Sequence, residues 1–305
     1  MKYLVAFFVL TSFWGCQAQT ENKLSPPELK RVSYVSQLDQ KERDYFLYLP
    51  EGYHSYPDSI WPVVMHLHGN GERGNGKSDL KWTLKHGPLM EAWIQKKNFP
   101  FILIVPQLHM MGMDTIKAYI AKRDTNTIPM RLENGSPERI PVDTNFRYTK
   151  GPKTTPLPYP KEGNIRGWYK VQEDLITIVN DVQKKHRGSI NQTYLTGLSY
   201  GGFGTWYMAS TYPNKFAAIL PVCGWGHPEL MESIKKQELP IWCFAGERDM
   251  IIQTQHFYPG FKRLKDLGHN NYSFTIVPKV GHDVWKVVYQ NPEIYTWLLN
   301  QKLDD

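Results

Sequence analysis

The residues best suited to chemistry in this 305-residue chain surround one serine. Gly197-Leu198-Ser199-Tyr200-Gly201-Gly202 follows a short β-like run, Thr193-Tyr194-Leu195-Thr196, and precedes a helix-like stretch, Phe203 to Tyr212. A G-x-S-x-G between a strand and a helix makes a turn so tight that the serine hydroxyl stands exposed at the edge of a sheet. It also sits at a helix N-terminus, where the dipole favours the negative charge that develops during attack. A serine hydroxyl is a poor nucleophile near neutral pH, so it needs a base, and the base needs an orienting carboxylate. Both lie downstream at the ends of strand-like runs. Pro240 to Ala245 leads to Gly246-Glu247-Arg248-Asp249, and Tyr272 to Val277 leads to Lys279-Val280-Gly281-His282-Asp283. Ser199 is therefore assigned as nucleophile, His282 as general base and then acid, and Asp249 as the orienting acid, with Glu247 the alternative. His256 and His269 fall in or beside a helix-like stretch, away from a strand end.

Acyl transfer also needs donors for a tetrahedral oxyanion. One is the backbone N–H of Tyr200, directly after the nucleophile. The other is placed on His68-Gly69-Asn70-Gly71, after a buried strand, with the Asn70 N–H as donor. Because that donor is backbone, the Asn70 side chain is expected to matter little. Of the nearby aromatics, Tyr200 and Trp225 follow strand ends closely and are the stronger candidates to touch substrate. Trp168 and Trp285 are candidates whose packing role is at least as strong.

These residues must be carried by a scaffold, and the chain spells one. Val32 to Leu38 and Asp44 to Leu49 read as an antiparallel pair; Trp61 to Leu67 and Phe101 to Val105 are all but uninterrupted apolar strands. Pro88 to Lys96 has helical character. Val171 to His186 repeats apolar residues at helical spacing through Leu175, Ile178, Val179 and Val182. Ala217 to Val222 reads as a strand and Pro228 to Lys236 as a helix, Gln253 to Leu267 as another, and a last helix spans Pro292 to Leu299. Apolar strands alternating with helices predict an α/β fold with a mostly parallel central sheet covered on both faces. A segment from about Leu108 to Ile165 breaks the rhythm, apart from a short helix expected within Ile116 to Ala121. Leaving the end of a sheet strand, it is placed as a wall or lid beside the site.

The remaining features bound the function. A net charge of +7 rests on scattered Lys and Arg, with no basic block of the kind that binds nucleic acid and no metal-ligand spacing. No cofactor is called for. Lys2, the apolar run Tyr3 to Leu10 and Gly15-Cys16 read as an export leader over residues 1–19, ending either in lipidation at Cys16 or in cleavage after Ala18. Residues 20–305 are then one catalytic domain. Cys223 and Cys243 lie near the ends of neighbouring strands, as a disulfide or as buried thiols.

Taken together, His66-Leu67-His68-Gly69-Asn70-Gly71-Glu72-Arg73-Gly74, His86-Gly87-Pro88, Pro106-Gln107, the Ser199 motif with Gly204-Thr205-Trp206, and Gly281-His282-Asp283-Val284-Trp285 resemble secreted bacterial esterases of the α/β-hydrolase superfamily. That is the esterase and phospholipase group related to feruloyl and acetylxylan esterases and polyhydroxyalkanoate depolymerases. The resemblance spans about Val63 to Trp297 and implies an α/β-hydrolase fold with Ser199, Asp249 and His282 as its triad. It implies a serine esterase acting on a small-molecule or polysaccharide ester. The long segment before Ile165 departs from the group's pattern. The competing readings are a lipase or phospholipase, a peptidase of the prolyl-oligopeptidase type, for whose propeller the chain has no room, and a binding protein with a relic triad.

Overall fold

The computed structural model describes residues 23–142 and 157–303; the expected leader, with Cys16 and Ala18, and residues 143–156 of the long segment lie outside them. Eight strands form one sheet: β1 (Glu28–Val35), β2 (Glu42–Leu49), β3 (Trp61–Leu67), β4 (Ile102–Val105), β5 (Gly188–Leu198), β6 (Ala218–Val222), β7 (Ile241–Gly246) and β8 (Tyr272–Val277). Their order across the sheet is β1-β2-β4-β3-β5-β6-β7-β8. The β1–β2 and β2–β4 pairs are antiparallel, and every later pair is parallel. The strand expected at Thr193 to Thr196 is longer than its apolar part. It begins at Gly188 and takes in Ser189, an exposed Ile190, Asn191 and Gln192 ahead of the apolar run.

The parallel strands are apolar on both faces because both faces are covered. Successive residues separate into two cores: Met65, Leu195 and Ile219 on one side, Val64, Tyr194 and Leu220 on the other. Two short helices, α1 (Met113–Ile116) and α2 (Ala118–Ala121), lie in the long segment. Helix α2 lies within the stretch expected to be helical, Ile116 to Ala121, whereas α1 precedes it and shares only Ile116; the two break at Lys117, whose backbone is extended. Helix α3 (Gln172–Lys185) buries Leu175, Ile178, Val179 and Val182, and its Glu173 and Asp174 at one end and Lys184 and Lys185 at the other match the helix dipole. Helix α4 (Tyr200–Thr211) is buried along most of its length against β5 and β6. The others are α5 (Met231–Lys236), α6 (Tyr258–Asp266), α7 (Trp285–Val288) and α8 (Pro292–Leu299). Two expectations shift. The helical stretch expected from Pro88 opens there, with Pro88 and Leu89 helical, and continues as a π-turn, Met90–Ile94, ending before Lys96. The helix expected from Gln253 is a 3-10 turn, Thr254–His256, followed by α6, with Pro259 in the first turn where its missing N–H costs nothing.

The described part of the long segment is tied down rather than loose. Arg139 makes a two-pronged pair with Glu91 at 2.6 and 2.7 Å. Arg131 lies over the Trp93 ring, and Arg123 lies over the Trp82 ring. Cys223 and Cys243 are buried free thiols.

Candidate active site

The elbow is built by sterics. Ser199 joins β5 to α4 with φ 52° and ψ −112°, a left-handed conformation that a non-glycine residue adopts only when its surroundings enforce it. The surroundings are the glycines. A Cβ on Gly197 would come within 2.3 Å of the Gly201 carbonyl oxygen, and one on Gly201 within 1.8 Å of the Leu67 carbonyl oxygen. Only hydrogen at both positions lets β5 double back onto α4 beside the end of β3. The Ser199 N–H donates to the Val222 carbonyl at 2.9 Å, which fixes the turn to β6.

The partners arrive from the ends of β7 and β8. His282 Nε2 lies 3.0 Å from Ser199 Oγ, and its Nδ1 lies 2.7 Å from Asp249 Oδ2. Asp249 is buried, and its other oxygen accepts the N–H groups of Ile251 and Ile252, each at 2.8 Å. With the carboxylate saturated in this way, the imidazole is set with Nδ1–H donating to Asp249 and Nε2 free to accept from Ser199. Glu247, the alternative acid, is engaged elsewhere, accepting the Lys279 N–H at 2.8 Å.

The Asn70 loop lines the same cavity as Ser199 and the first residue of α4. Among the described residues, neither the Tyr200 N–H nor the Asn70 N–H has a protein acceptor. Both residues line a cavity of about 480 Å³ with Ser199 and His282. The loop is braced from below. His68 is buried, accepts the Leu108 N–H at its Nε2 (2.9 Å) and so donates from Nδ1 to the Gly69 carbonyl (2.6 Å). Burial holds its pKa well below the ordinary histidine value. The Trp168 indole N–H donates to the His68 carbonyl at 3.1 Å.

The Asn70 side chain is more committed than the sequence suggested. Its Oδ1 accepts from Arg73 Nε and its Nδ2 donates to the Tyr119 hydroxyl, each at 2.5 Å. Arg123, from the long segment, donates to the carbonyls of Gly71 and Arg73 at 2.8 and 2.6 Å. Glu72 also lines the cavity. Burial pushes its carboxyl up to about 7, and its Oε2 has no hydrogen-bond partner. Nearby His66 and His86 are pushed down to about 3 by burial, so they stay neutral.

The aromatic assignments change. Tyr200 and Trp285 line the cavity, and the Trp285 ring stands edge-on to His282 with centroids 5.3 Å apart. Trp225 does not line it: its indole is buried behind Phe203 and Tyr159, so Tyr159 presents the surface that Trp225 was expected to present. Trp168 is likewise core, beneath the Asn70 loop. Tyr119, Tyr159, Lys117 and Asn164 also stand on the cavity wall, beyond the residues expected from sequence. For Tyr119, the short helix expected within Ile116 to Ala121 was the available signal. For Glu72 and Arg73, it was their place directly after the oxyanion motif. Among the described residues, no group of three or more His, Cys, Asp or Glu side chains could hold a metal ion.

A serine, histidine and aspartate in hydrogen-bonded sequence at the carboxyl ends of a mostly parallel sheet, with two unpaired N–H groups beside the hydroxyl, define an α/β-hydrolase of the serine-hydrolase kind. Residues 164–296, which carry Ser199, Asp249 and His282, match the phospholipase/carboxylesterase family. A bifunctional acetylxylan esterase/xylanase from Neocallimastix patriciarum is 27% identical over 117 residues, which are 36% of this chain and 17% of that protein. A thermostable esterase superposes with a TM-score of 0.61 at 24% identity, covering 90% of this chain and 63% of the other. The feruloyl esterase module from Clostridium thermocellum, solved with sinapinate, superposes with a TM-score of 0.54 at 16% identity, covering 90% and 88%. The structural likenesses establish the fold.

Proposed function

We propose that the protein is a serine carboxylic-ester hydrolase that works through an acyl-enzyme on ester decorations of polysaccharides, of the feruloyl or acetyl type. The observation that carries the reaction class is the hydrogen-bonded Ser199–His282–Asp249 relay, whose Ser199 and His282 line one cavity with Asn70 and Tyr200. Ser199 Oγ attacks the ester carbonyl carbon as its proton passes to His282 Nε2. The carbonyl oxygen, now an oxyanion, accepts from the Asn70 and Tyr200 N–H groups, each such donor contributing on the order of 3 kcal/mol to the transition state. The imidazolium then protonates the leaving alcohol and the acyl-enzyme remains. Water, deprotonated by the same histidine, attacks that carbonyl, and collapse releases the acid and restores Ser199. Asp249 keeps the tautomer and stabilises the imidazolium throughout.

The substrate class is drawn from the acetylxylan esterase and feruloyl esterase module to which the chain is similar. The cavity is compatible with it, because Tyr119, Tyr159 and Trp285 offer aromatic faces on which a phenolic acyl group or a sugar ring can stack. Export, with or without a lipid at Cys16, follows from the leader expected at residues 1–19, and the mass of the mature N-terminus separates the two outcomes.

Ser199→Ala should remain folded and lose p-nitrophenyl acetate hydrolysis. Wild-type rates on acetyl, feruloyl and longer-chain esters then rank the acyl group. Retained activity in the variant refutes the nucleophile. A preference for long-chain esters refutes the polysaccharide-decoration reading and favours a lipase.

A further inference from the structure

Arg73 is fully buried, yet among the described residues its guanidinium makes no ion pair with a carboxylate. The groups that interact with it electrostatically include Tyr200, Tyr119, Arg166, His68 and His109. A buried charge without a counter-ion is expensive and persists where hydrogen bonds hold it. Arg73 has them: Nε donates to Asn70 Oδ1 at 2.5 Å, one terminal nitrogen to the His109 carbonyl at 2.9 Å, and the other to the Arg166 carbonyl at 2.7 Å. Its plane also lies against the Tyr200 ring, 5.0 Å from the centroid. One cation thus touches both residues whose backbone N–H groups flank Ser199. It grips Asn70 through the side chain and backs Tyr200 through the ring face.

We propose that Arg73 is a positioning residue of the oxyanion hole that also acts through its charge. It fixes the Asn70 N–H toward the cavity by holding the Asn70 amide, and its unneutralised guanidinium lies behind both donors, where it favours negative charge on the substrate oxygen. Fixed charge in a water-poor site needs no reorganisation as the oxyanion forms, so it acts on the transition state more than on the bound ester. The Tyr119 hydroxyl, accepting from the other end of the Asn70 amide, makes the long segment a second support of the same group.

The inference rests on the serine-hydrolase reading, and a fluorophosphonate probe separates the two. Phosphonylation of Ser199 uses the oxyanion hole but requires no particular ester. Three variants are compared with wild type by circular dichroism, by kcat and KM on p-nitrophenyl acetate, and by the rate of fluorophosphonate labelling. Arg73→Gln removes the charge. Arg73→Lys keeps charge but loses the fork. Asn70→Asp retains an acceptor for Arg73 and neutralises it.

Arg73→Gln and Asn70→Asp are expected to lower kcat and labelling rate together by about 10- to 100-fold, with KM within about threefold of wild type. Arg73→Lys should fall between them and wild type. Folded Arg73→Gln with wild-type kcat and labelling overturns the proposal, as does a loss confined to KM. If Arg73→Gln does not fold, Asn70→Asp decides: wild-type rates there overturn the role of charge. A wild-type protein that labels at Ser199 but hydrolyses none of the esters refutes the esterase reading while the labelling rates still measure Arg73. A wild-type protein that takes no label overturns both.

Discussion

Glu72 makes the stability of this protein depend on pH in a way that one substitution isolates. A carboxyl that ordinarily ionises near 4.5 is pushed up to about 7 by burial beneath the Asn70 loop. The folded state therefore holds this proton more tightly than the unfolded chain does. Stability from this group is fully present below about pH 4.5 and is lost as pH rises through about 7. At about 1.4 kcal/mol per pH unit, the loss amounts to roughly 3 kcal/mol. Glu72→Gln keeps the shape and one acceptor oxygen but cannot ionise, so its advantage over wild type should be near zero at low pH and full above neutrality. For a chain of this size, at about 2 °C per kcal/mol, that is a Tm difference of roughly 6 °C. The buried histidines oppose this trend in wild type. His66 and His86, pushed down to about 3, and His109, pushed down to about 4, contribute stability that is present above their ordinary value of 6.5 and lost as pH falls. They are common to both proteins and cancel in the difference. Calorimetric Tm of both proteins, measured from about pH 4 to pH 8, is the assay. A difference that is flat across that range, or one in which wild type gains on the variant as pH rises, refutes the reasoning.

Asp249→Asn should preserve the fold, since one oxygen remains for Ile251 and Ile252, but present an amide where His282 needs an acceptor; kcat on p-nitrophenyl acetate should drop about 10⁴-fold. Gly201→Ala forces a methyl to within 1.8 Å of the Leu67 carbonyl oxygen. It should cost at least the roughly 1–3 kcal/mol of an overpacked core in denaturant titrations. Because Leu67 leads directly into the Asn70 loop, the folded fraction should also lose kcat, and full specific activity in folded Gly201→Ala would contradict the steric account of the elbow.

The readable parts of this protein were those written in local pattern. Apolar runs such as Val63 to Met65 and Ile102 to Val105 read as buried strands, because a sheet covered on both faces accommodates them. Glu247 and Asp249 could not be separated by sequence alone, since both follow β7 within three residues. The deciding fact is that Asp249 points to His282 while Glu247 fastens the Lys279 loop. The helix expected from Gln253 breaks where a proline-containing first turn restarts it. Such ends depend on capping detail finer than periodicity resolves.

The long segment was unreadable for a different reason. Its described part is held by arginines reaching Trp82, Trp93, Glu91 and the carbonyls of the Asn70 loop. Contacts between residues some 40 to 50 positions apart leave no period to detect. Trp225 and Trp285 show the same limit: Trp225 follows a strand end closely and Trp285 does not, yet packing places Tyr159 in front of the first and leaves the second beside His282.

The sequence by itself set the order in which Ser199, Asp249 and His282 follow their strands and singled out Ser199 as the candidate nucleophile, because glycine sterics and apolar runs act within a few residues. The tertiary structure alone decided that Arg73, Asn70 and Tyr119 form one brace and that Glu72 lies buried beside it. Burial and hydrogen-bond partnership are properties of side chains meeting in space, and no spacing along the chain encodes which of them will meet.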